Sequence, residues 1–333
     1  MNRRRGGAGG AATIAAVSSP GLHPATPPLR DWTLAVDGGH VLRVREYGRA
    51  DGLPALTLHG GPGSGCSPLQ PRFFDPQRYR VICMDQRGAG LSEPRGGIEH
   101  NRTDDLVADL RRLRERLGLD GWLVVGGSWG ATLALAYAAA DPAAVRGLLL
   151  RSSFIARRAD VATFFEGSAG LRPRAWQRLR AALPAGRDTL AALTEALHGP
   201  DRAARERAAQ AWWCWEQALT QGDEAVAPPQ GAALAQQVDR LRVQAHYLVH
   251  DCWLAHPPLL ERCAALPRVP TLLLHARDDL VCPAAGALAL HARLPHARLQ
   301  WTERGGHDPT QPQMLAAMVA ALDDYAAGGA FAQ

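Results

Sequence analysis

Ser128 stands at the centre of Gly126-Gly127-Ser128-Trp129-Gly130, between the apolar run Trp122-Leu123-Val124-Val125 and the alanine-rich run Ala131 to Ala140. Glycines on both sides of a serine, where strand-like sequence gives way to helix-like sequence, permit the sharp turn that lifts a hydroxyl off the end of a buried strand. A hydroxyl held in that way becomes a nucleophile when a histidine takes its proton and a carboxylate orients the histidine. Among 12 histidines only His307, in Gly305-Gly306-His307, follows a late strand-like segment, Arg298 to Thr302. Asp278 and Asp279 follow the strand-like Leu272–Leu274, and spacing alone does not separate these two acids.

Acyl transfer through a serine also needs backbone N–H groups aimed at the developing oxyanion. Trp129, the residue after the nucleophile, supplies one. The strand-like Ala55-Leu56-Thr57-Leu58 runs into His59-Gly60-Gly61-Pro62-Gly63, where such enzymes place a second. This chemistry requires no metal and no organic cofactor.

These groups are far apart in sequence, so the elements between them must bring them together. Trp32 to Val36 and Val41 to Arg45 alternate around Asp37-Gly38-Gly39 as a hairpin does. Arg80 to Met84 reads as a strand entering Asp85-Gln86-Arg87-Gly88-Ala89-Gly90, and Thr103 can cap a helix from Asp104 to Leu117. The strand before Ser128, its helix and a strand at Val145 to Leu150 follow. From 151 to 265 the pattern changes to long Ala-, Arg- and Trp-rich helical stretches broken near Pro173, Pro184, Gly199-Pro200 and Pro228-Pro229. Beyond it the sheet resumes with Thr271 to Leu274, a helix at Ala284 to Leu294, the strand at Arg298 to Thr302 and a closing helix from Gln311 to Ala326. The division expected is a tail over 1–28, a core over 29–150, an inserted helical cap over 151–265 and a second part of the core over 266–333. Alternating strands and helices make a mostly parallel sheet flanked by helices, an α/β architecture whose carboxyl-edge loops converge. The order serine, acid, histidine is that of the α/β-hydrolase fold.

The hydrophobic fraction is 47%, and no apolar run approaches the ~20 residues of a membrane span, so a soluble chain is expected. All 37 basic residues are arginine and the net charge is +5. The densest basic cluster, Arg111, Arg112, Arg114 and Arg116, shares helical spacing with Leu106, Leu110, Leu113 and Leu117, which marks a solvated helix face and argues against a nucleic-acid partner. Six cysteines show no CxxC pair and no clustering with histidine, which fits free thiols in a reducing cytoplasm. The first 28 residues read as a disordered tail or an overextended start, because their apolar stretch, Ala11 to Val17, lacks the length and cleavage site of an export signal.

HGGPG at His59–Gly63, DQRGAGLS at Asp85–Ser92, GGSWG at Gly126–Gly130 and AWWCWE at Ala211–Glu216 together resemble the proline iminopeptidases, from about residue 30 onward. The resemblance implies a serine exopeptidase with Ser128, Asp279 and His307 as its triad. It selects Asp279 because His275-Ala276-Arg277-Asp278-Asp279 matches a family segment that carries the acid in its last position. It also implies that the N–H of Gly61 joins that of Trp129 in the oxyanion hole and that Glu216 binds the substrate's α-ammonium group. The tryptophans beside Glu216 are expected mainly to pack the cap.

The chain departs from the family in the segment Gln244-Ala245-His246-Tyr247-Leu248, which corresponds to ENHYF. Gln244 replaces a second carboxylate, and Leu248 stands in place of a phenylalanine. Phe154 and Phe165 match other walls of the family's proline pocket. A pocket walled by Leu248 is expected to be reshaped towards a different or bulkier first residue. Three readings compete: an aminopeptidase releasing amino-terminal proline from short peptides; a related esterase or small-amide hydrolase that ignores the amino terminus; and a non-catalytic binding protein, against which the complete triad argues. A helical lid favours short peptides or small amides and esters over folded proteins.

Overall fold

The computed structural model describes residues 21–331. In it, β1 (Arg30–Ala35) and β2 (Val41–Gly48) form an antiparallel hairpin, and β2 pairs antiparallel with β4 (Tyr79–Met84). From there the sheet is parallel. β3 (Leu53–Leu58) lies between β4 and β5 (Trp122–Gly127), followed outward by β6 (Val145–Arg151), β7 (Thr271–Ala276) and β8 (Arg298–Thr302). The spatial order is β1-β2-β4-β3-β5-β6-β7-β8. Sequence order folds back at β3, and loops at the carboxyl ends of β3, β5 and β7 open on one edge.

The central strands are apolar at successive positions because both faces of the sheet are covered. Leu56, Ile82, Val124 and Leu150 pack on one face with α1 (Thr103–Arg116) and α2 (Trp129–Ala140). Their neighbours Ala55, Val81, Leu123 and Leu149 pack on the other with Met314 and Leu322 of α10 (Pro312–Gly328). This is the period-two alternation of a strand realised with apolar residues on both sides. Ten of the 12 residues of α2 are buried, so its unbroken alanine and leucine content reflects a helix enclosed on all sides.

Between β6 and β7 the described residues form no strand. They form α3 (Arg158–Phe164), α4 (Pro173–Ala181), α5 (Thr189–His198), α6 (Arg202–Gln221), α7 (Gly231–Val249) and α8 (Leu259–Arg262). Within this group Trp212 stacks edge-on against Phe165, while Trp215 stacks against Trp176 and donates its indole N–H to the Phe164 carbonyl at 3.0 Å. Trp212 and Trp215, both fully buried, are packing residues. α9 (Ala284–Arg293) then returns the chain to β8.

Two local expectations change. Thr103 is the first residue of α1 and not its cap: the Asp105 carboxylate accepts the Arg102 N–H at 2.9 Å, and the Thr103 hydroxyl donates to the Cys252 carbonyl below the cap. The tail expected over 1–28 lies outside the described residues up to 20. Within 21–28, the His23 N–H donates to the Arg72 carbonyl and its ring meets Asp323 on α10. No helix among the described residues is long and apolar enough to cross a membrane.

Candidate active site

β5 ends at Gly127, α2 begins at Trp129, and Ser128 between them has φ 56° and ψ −124°. A side chain in this conformation costs about 1–3 kcal/mol, which the surroundings must supply. Ser128 donates its N–H to the Arg151 carbonyl at 3.0 Å and accepts the Ala131 N–H at 3.0 Å, so neighbouring strand and following helix fix it from both sides. Backbone contact requires glycine at Gly130, where a Cβ would collide with the Leu58 carbonyl at the end of β3; a Cβ on Gly127 would instead meet the Arg151 guanidinium, which would have to shift.

Asp279 and His307 follow β7 and β8. The His307 ring meets Asp279 through Nδ1 and Oδ2 at 2.9 Å, while Asp279 Oδ1 accepts the N–H groups of Val281 and Cys282 at 2.9 Å each. Burial pushes this carboxyl up, but the His307 charge and these hydrogen bonds outweigh it and hold it down at about 2. With Nδ1–H committed to Asp279, Nε2 is the ring's free base. Asp278 has a different task. Its carboxylate accepts the Gly306 N–H at 2.8 Å and the Gly305 N–H at 3.4 Å, bracing the loop that delivers His307.

Arg151, at the end of β6, donates to the His307 carbonyl at 2.8 Å. Burial lowers the affinity of its guanidinium for the proton, against the opposing pull of Asp279. The Cys282 sulfur lies 3.9 Å from Ser128 Oγ, and burial beside Asp279 raises its thiol well above the usual range, so it sits next to the nucleophile as a neutral group.

The loop carrying Gly61 is built by His59 and Gln86. Buried His59 accepts the Gln86 N–H through Nε2 at 2.9 Å, which leaves Nδ1–H to donate to the Gly60 carbonyl at 2.9 Å. Burial holds this ring neutral, as that double role demands. Among the described residues no acceptor takes the Gly61 N–H, and Trp129, as the first residue of α2, has no partner within its own helix.

Ser128, His307 and Gly61 line one cavity of about 280 Å³ with Glu216, Gln244 and Leu248. Phe154 also lines it. Phe165 does not: it is buried against Phe164 and Trp212, and Phe164 faces the cavity in its place. The largest departure concerns Glu216. Arg240 pairs with it, Nη2 to Oε2, and its Nη1 reaches Gln244 Oε1 at 3.1 Å, while Gln244 donates to Glu216 Oε1 at 3.2 Å. Glu216, Arg240 and Gln244 form a closed polar triangle in the cavity wall, with Glu216 and Arg240 side chains only about one-sixth exposed.

Arg240, Arg151, Phe164 and Cys282 escaped sequence reasoning. Arg240 precedes Gln244 by four residues, so the two share a helix face, and this spacing was the available signal. Among the described residues no group of three or more His, Cys, Asp or Glu could hold a metal ion.

The family model for the alpha/beta hydrolase fold matches residues 56–309. The chain is 39% identical over 311 residues to a proline iminopeptidase of Xylella fastidiosa, covering 91% of this chain and 99% of that one. It is 39% identical over 312 residues to one of Xanthomonas citri (92% and 99%) and 36% over 310 residues to one of Arabidopsis thaliana (90% and 80%). Among solved structures, a proline iminopeptidase-related protein of Thermus thermophilus superposes with a TM-score of 0.58 at 22% identity, covering 90% of this chain and 98% of that one, a likeness of fold. With relatives of this identity matched along nearly their whole length, the chain belongs to the proline iminopeptidase family of α/β-hydrolases.

Proposed function

We propose that the protein is a serine exopeptidase that releases the amino-terminal residue, proline by preference, from short peptides through an acyl-enzyme. His307 Nε2 takes the Ser128 proton as Oγ attacks the scissile carbonyl, and Asp279 holds the ring and stabilises its protonated form. The N–H groups of Trp129 and Gly61 receive the oxyanion; losing one such donor typically lowers the rate by about 10²–10³. His307 then protonates the leaving amine, and water, activated by the same ring, clears the acyl group from Ser128. Glu216 accepts the α-ammonium group, and Phe154, Phe164 and Leu248 surround the first side chain. Six free thiols favour a reducing, cytoplasmic setting.

The observation that carries this reading is that Glu216, a carboxylate able to meet an amino terminus, lines the same cavity as Ser128 and His307. Its test is kcat/KM for prolyl-p-nitroanilide, for the N-acetylated form and for a p-nitrophenyl ester. Strong preference for the unblocked prolyl amide is expected. A second reading, an esterase or small-amide hydrolase indifferent to the amino terminus, is favoured by one observation: Glu216 already has a cationic partner in Arg240. Equal turnover of free and acetylated substrates, with fast ester hydrolysis, would select it. A serine-reactive fluorophosphonate distinguishes both from a non-catalytic protein, since labelling of wild type and its loss in Ser128→Ala are expected.

A further inference from the structure

Arg240 is a charged group in the cavity wall that neither the triad nor the family resemblance accounts for. It projects from α7 one turn before Gln244, and its backbone is fixed by the oxyanion loop: the Gly63 Cα lies so close that a Cβ there would meet the Arg240 carbonyl at 2.6 Å. Each of its nitrogens has a partner. Nε donates to Gln237 Oε1 at 2.7 Å, Nη1 to Gln244 Oε1 and, at 3.4 Å, to Glu216 Oε1, and Nη2 to Glu216 Oε2. Where the family resemblance places a second carboxylate, this chain has Gln244; the cavity's other charged lining residues are Asp160, which pairs with Arg157, and Arg151, which donates to the His307 carbonyl, so Arg240 is the cation that meets Glu216.

We infer that Arg240 is a specificity-determining residue that competes with the substrate's ammonium group for Glu216 and thereby sets how strongly this enzyme prefers a free amino terminus. The inference rests on Glu216 being the carboxylate that meets the amino terminus. An incoming ammonium must displace the guanidinium from Glu216. Gln237 and Gln244 hold the displaced guanidinium through Nε and Nη1, so the exchange needs no unpaired charge in the wall, although one carboxylate is shared between two cations. The free amine therefore gains less over a blocked one than it would beside an unpaired carboxylate.

The experiment measures the ratio of kcat/KM for free and N-acetylated substrate, once with prolyl p-nitroanilides and once with prolyl p-nitrophenyl esters, which a serine hydrolase without peptidase activity would also cleave. Arg240→Gln is expected to raise this ratio about tenfold or more, mostly through KM of the free substrate. Adding Glu216→Gln should abolish the gain, and Arg240→Lys, which keeps the charge but not the planar fork, should raise the ratio less than Arg240→Gln does. Gln244→Glu, which leaves Arg240 in place and gives it a second carboxylate, should raise the ratio as well and covers the case in which Arg240→Gln does not fold. A ratio unchanged within about threefold in both Arg240→Gln and Gln244→Glu, or a gain that survives Glu216→Gln, would overturn the inference. If no variant cleaves the anilides while the ester ratio still rises, the peptidase reading fails and the role of Arg240 stands. If the anilides are cleaved with an unchanged ratio, the peptidase reading stands and the role of Arg240 fails.

Discussion

The Gln86 side chain accepts the indole N–H of Trp129 at 2.8 Å while donating its own N–H to the His59 carbonyl at 3.0 Å. One buried amide thus ties the residue after Ser128 to the loop that carries Gly61. The two backbone donors proposed for the oxyanion come from separate strand ends, β3 and β5, and Gln86, at the end of β4, sets their separation. Preorganised donors stabilise a developing charge only if they need not move to meet it, and Gln86 is placed to hold the two proposed donors from behind.

Replacing Gln86 by Leu should therefore lower kcat for both amide and ester substrates by about tenfold or more, with a smaller effect on KM, because the donors drift while the cavity wall is kept. It also leaves the Trp129 indole and the His59 carbonyl buried without partners, at about 1–3 kcal/mol each. Steady-state kinetics and urea unfolding of the same variant separate the two effects. Loss of stability with unchanged kcat in the folded fraction would make Gln86 a packing residue only.

Asp279 and Asp278 make opposite predictions although they are neighbours. Asp279→Asn should lower kcat by about 10³–10⁴, since the amide favours the wrong ring tautomer. Asp278→Asn should leave most of kcat, because it only weakens the bracing of Gly305 and Gly306. Asp279 also has a consequence in acid. The Asp279 carboxyl is held down at about 2 in the fold, below its ordinary value, so it contributes stability that is complete above about pH 5 and is lost as pH falls towards 2. The difference in unfolding free energy between wild type and Asp279→Asn should shrink by about 2 kcal/mol over that interval, as followed by urea titrations at successive pH values. Full activity in Asp279→Asn with loss in Asp278→Asn would reverse the assignment.

Local chemistry was legible in the sequence where it depends on one turn. The serine elbow, the HGGPG loop and His307 after a late strand could each be placed because glycine content and apolar runs mark strand ends. Asp278 and Asp279 could not be separated that way, because both lie on one short loop and only the turn that closes on the Val281 and Cys282 amides decides which faces His307. The shift from Phe165 to Phe164 has a similar cause: α3 ends at Phe164, and a displacement of one residue rotates a side chain about 100° around a helix. The pairing of Arg240 with Glu216 was hidden for another reason, since it joins α6 to α7, whose relative packing no local pattern encodes.

Arg87, in the same DQRGAGLS motif, meets Asp109 of α1 in a bidentate pair with both bonds at 2.7 Å and both side chains about 2% exposed. Burial pushes the Asp109 carboxyl up, against the pull of the guanidinium. Removing one partner of such a pair leaves an uncompensated charge, so Asp109→Ala should destabilise by about 3–5 kcal/mol, whereas Arg87→Met with Asp109→Leu should recover most of that loss. Urea unfolding at neutral pH measures both. A double variant as unstable as Asp109→Ala would show that the pair contributes more than mutual neutralisation.

Leu248 is the cavity residue through which the first side chain of the substrate is predicted to be chosen. It stands where the family resemblance places an aromatic wall and lines the cavity together with Phe154 and Phe164, and its side chain is smaller than phenylalanine. Wild type should accordingly cleave alanyl- and leucyl-p-nitroanilide within about tenfold of the prolyl substrate it prefers. Leu248→Phe should narrow the cavity and shift kcat/KM towards proline over leucine by about tenfold, the scale on which apolar pockets discriminate small changes of side chain. The measurement is the three-substrate comparison in both proteins. A wild type already much poorer on every residue but proline, or a prolyl-to-leucyl ratio that Leu248→Phe leaves unmoved, would place the choice elsewhere. Phe164, the aromatic group that the end of α3 turns towards the cavity, would then be the next residue to vary.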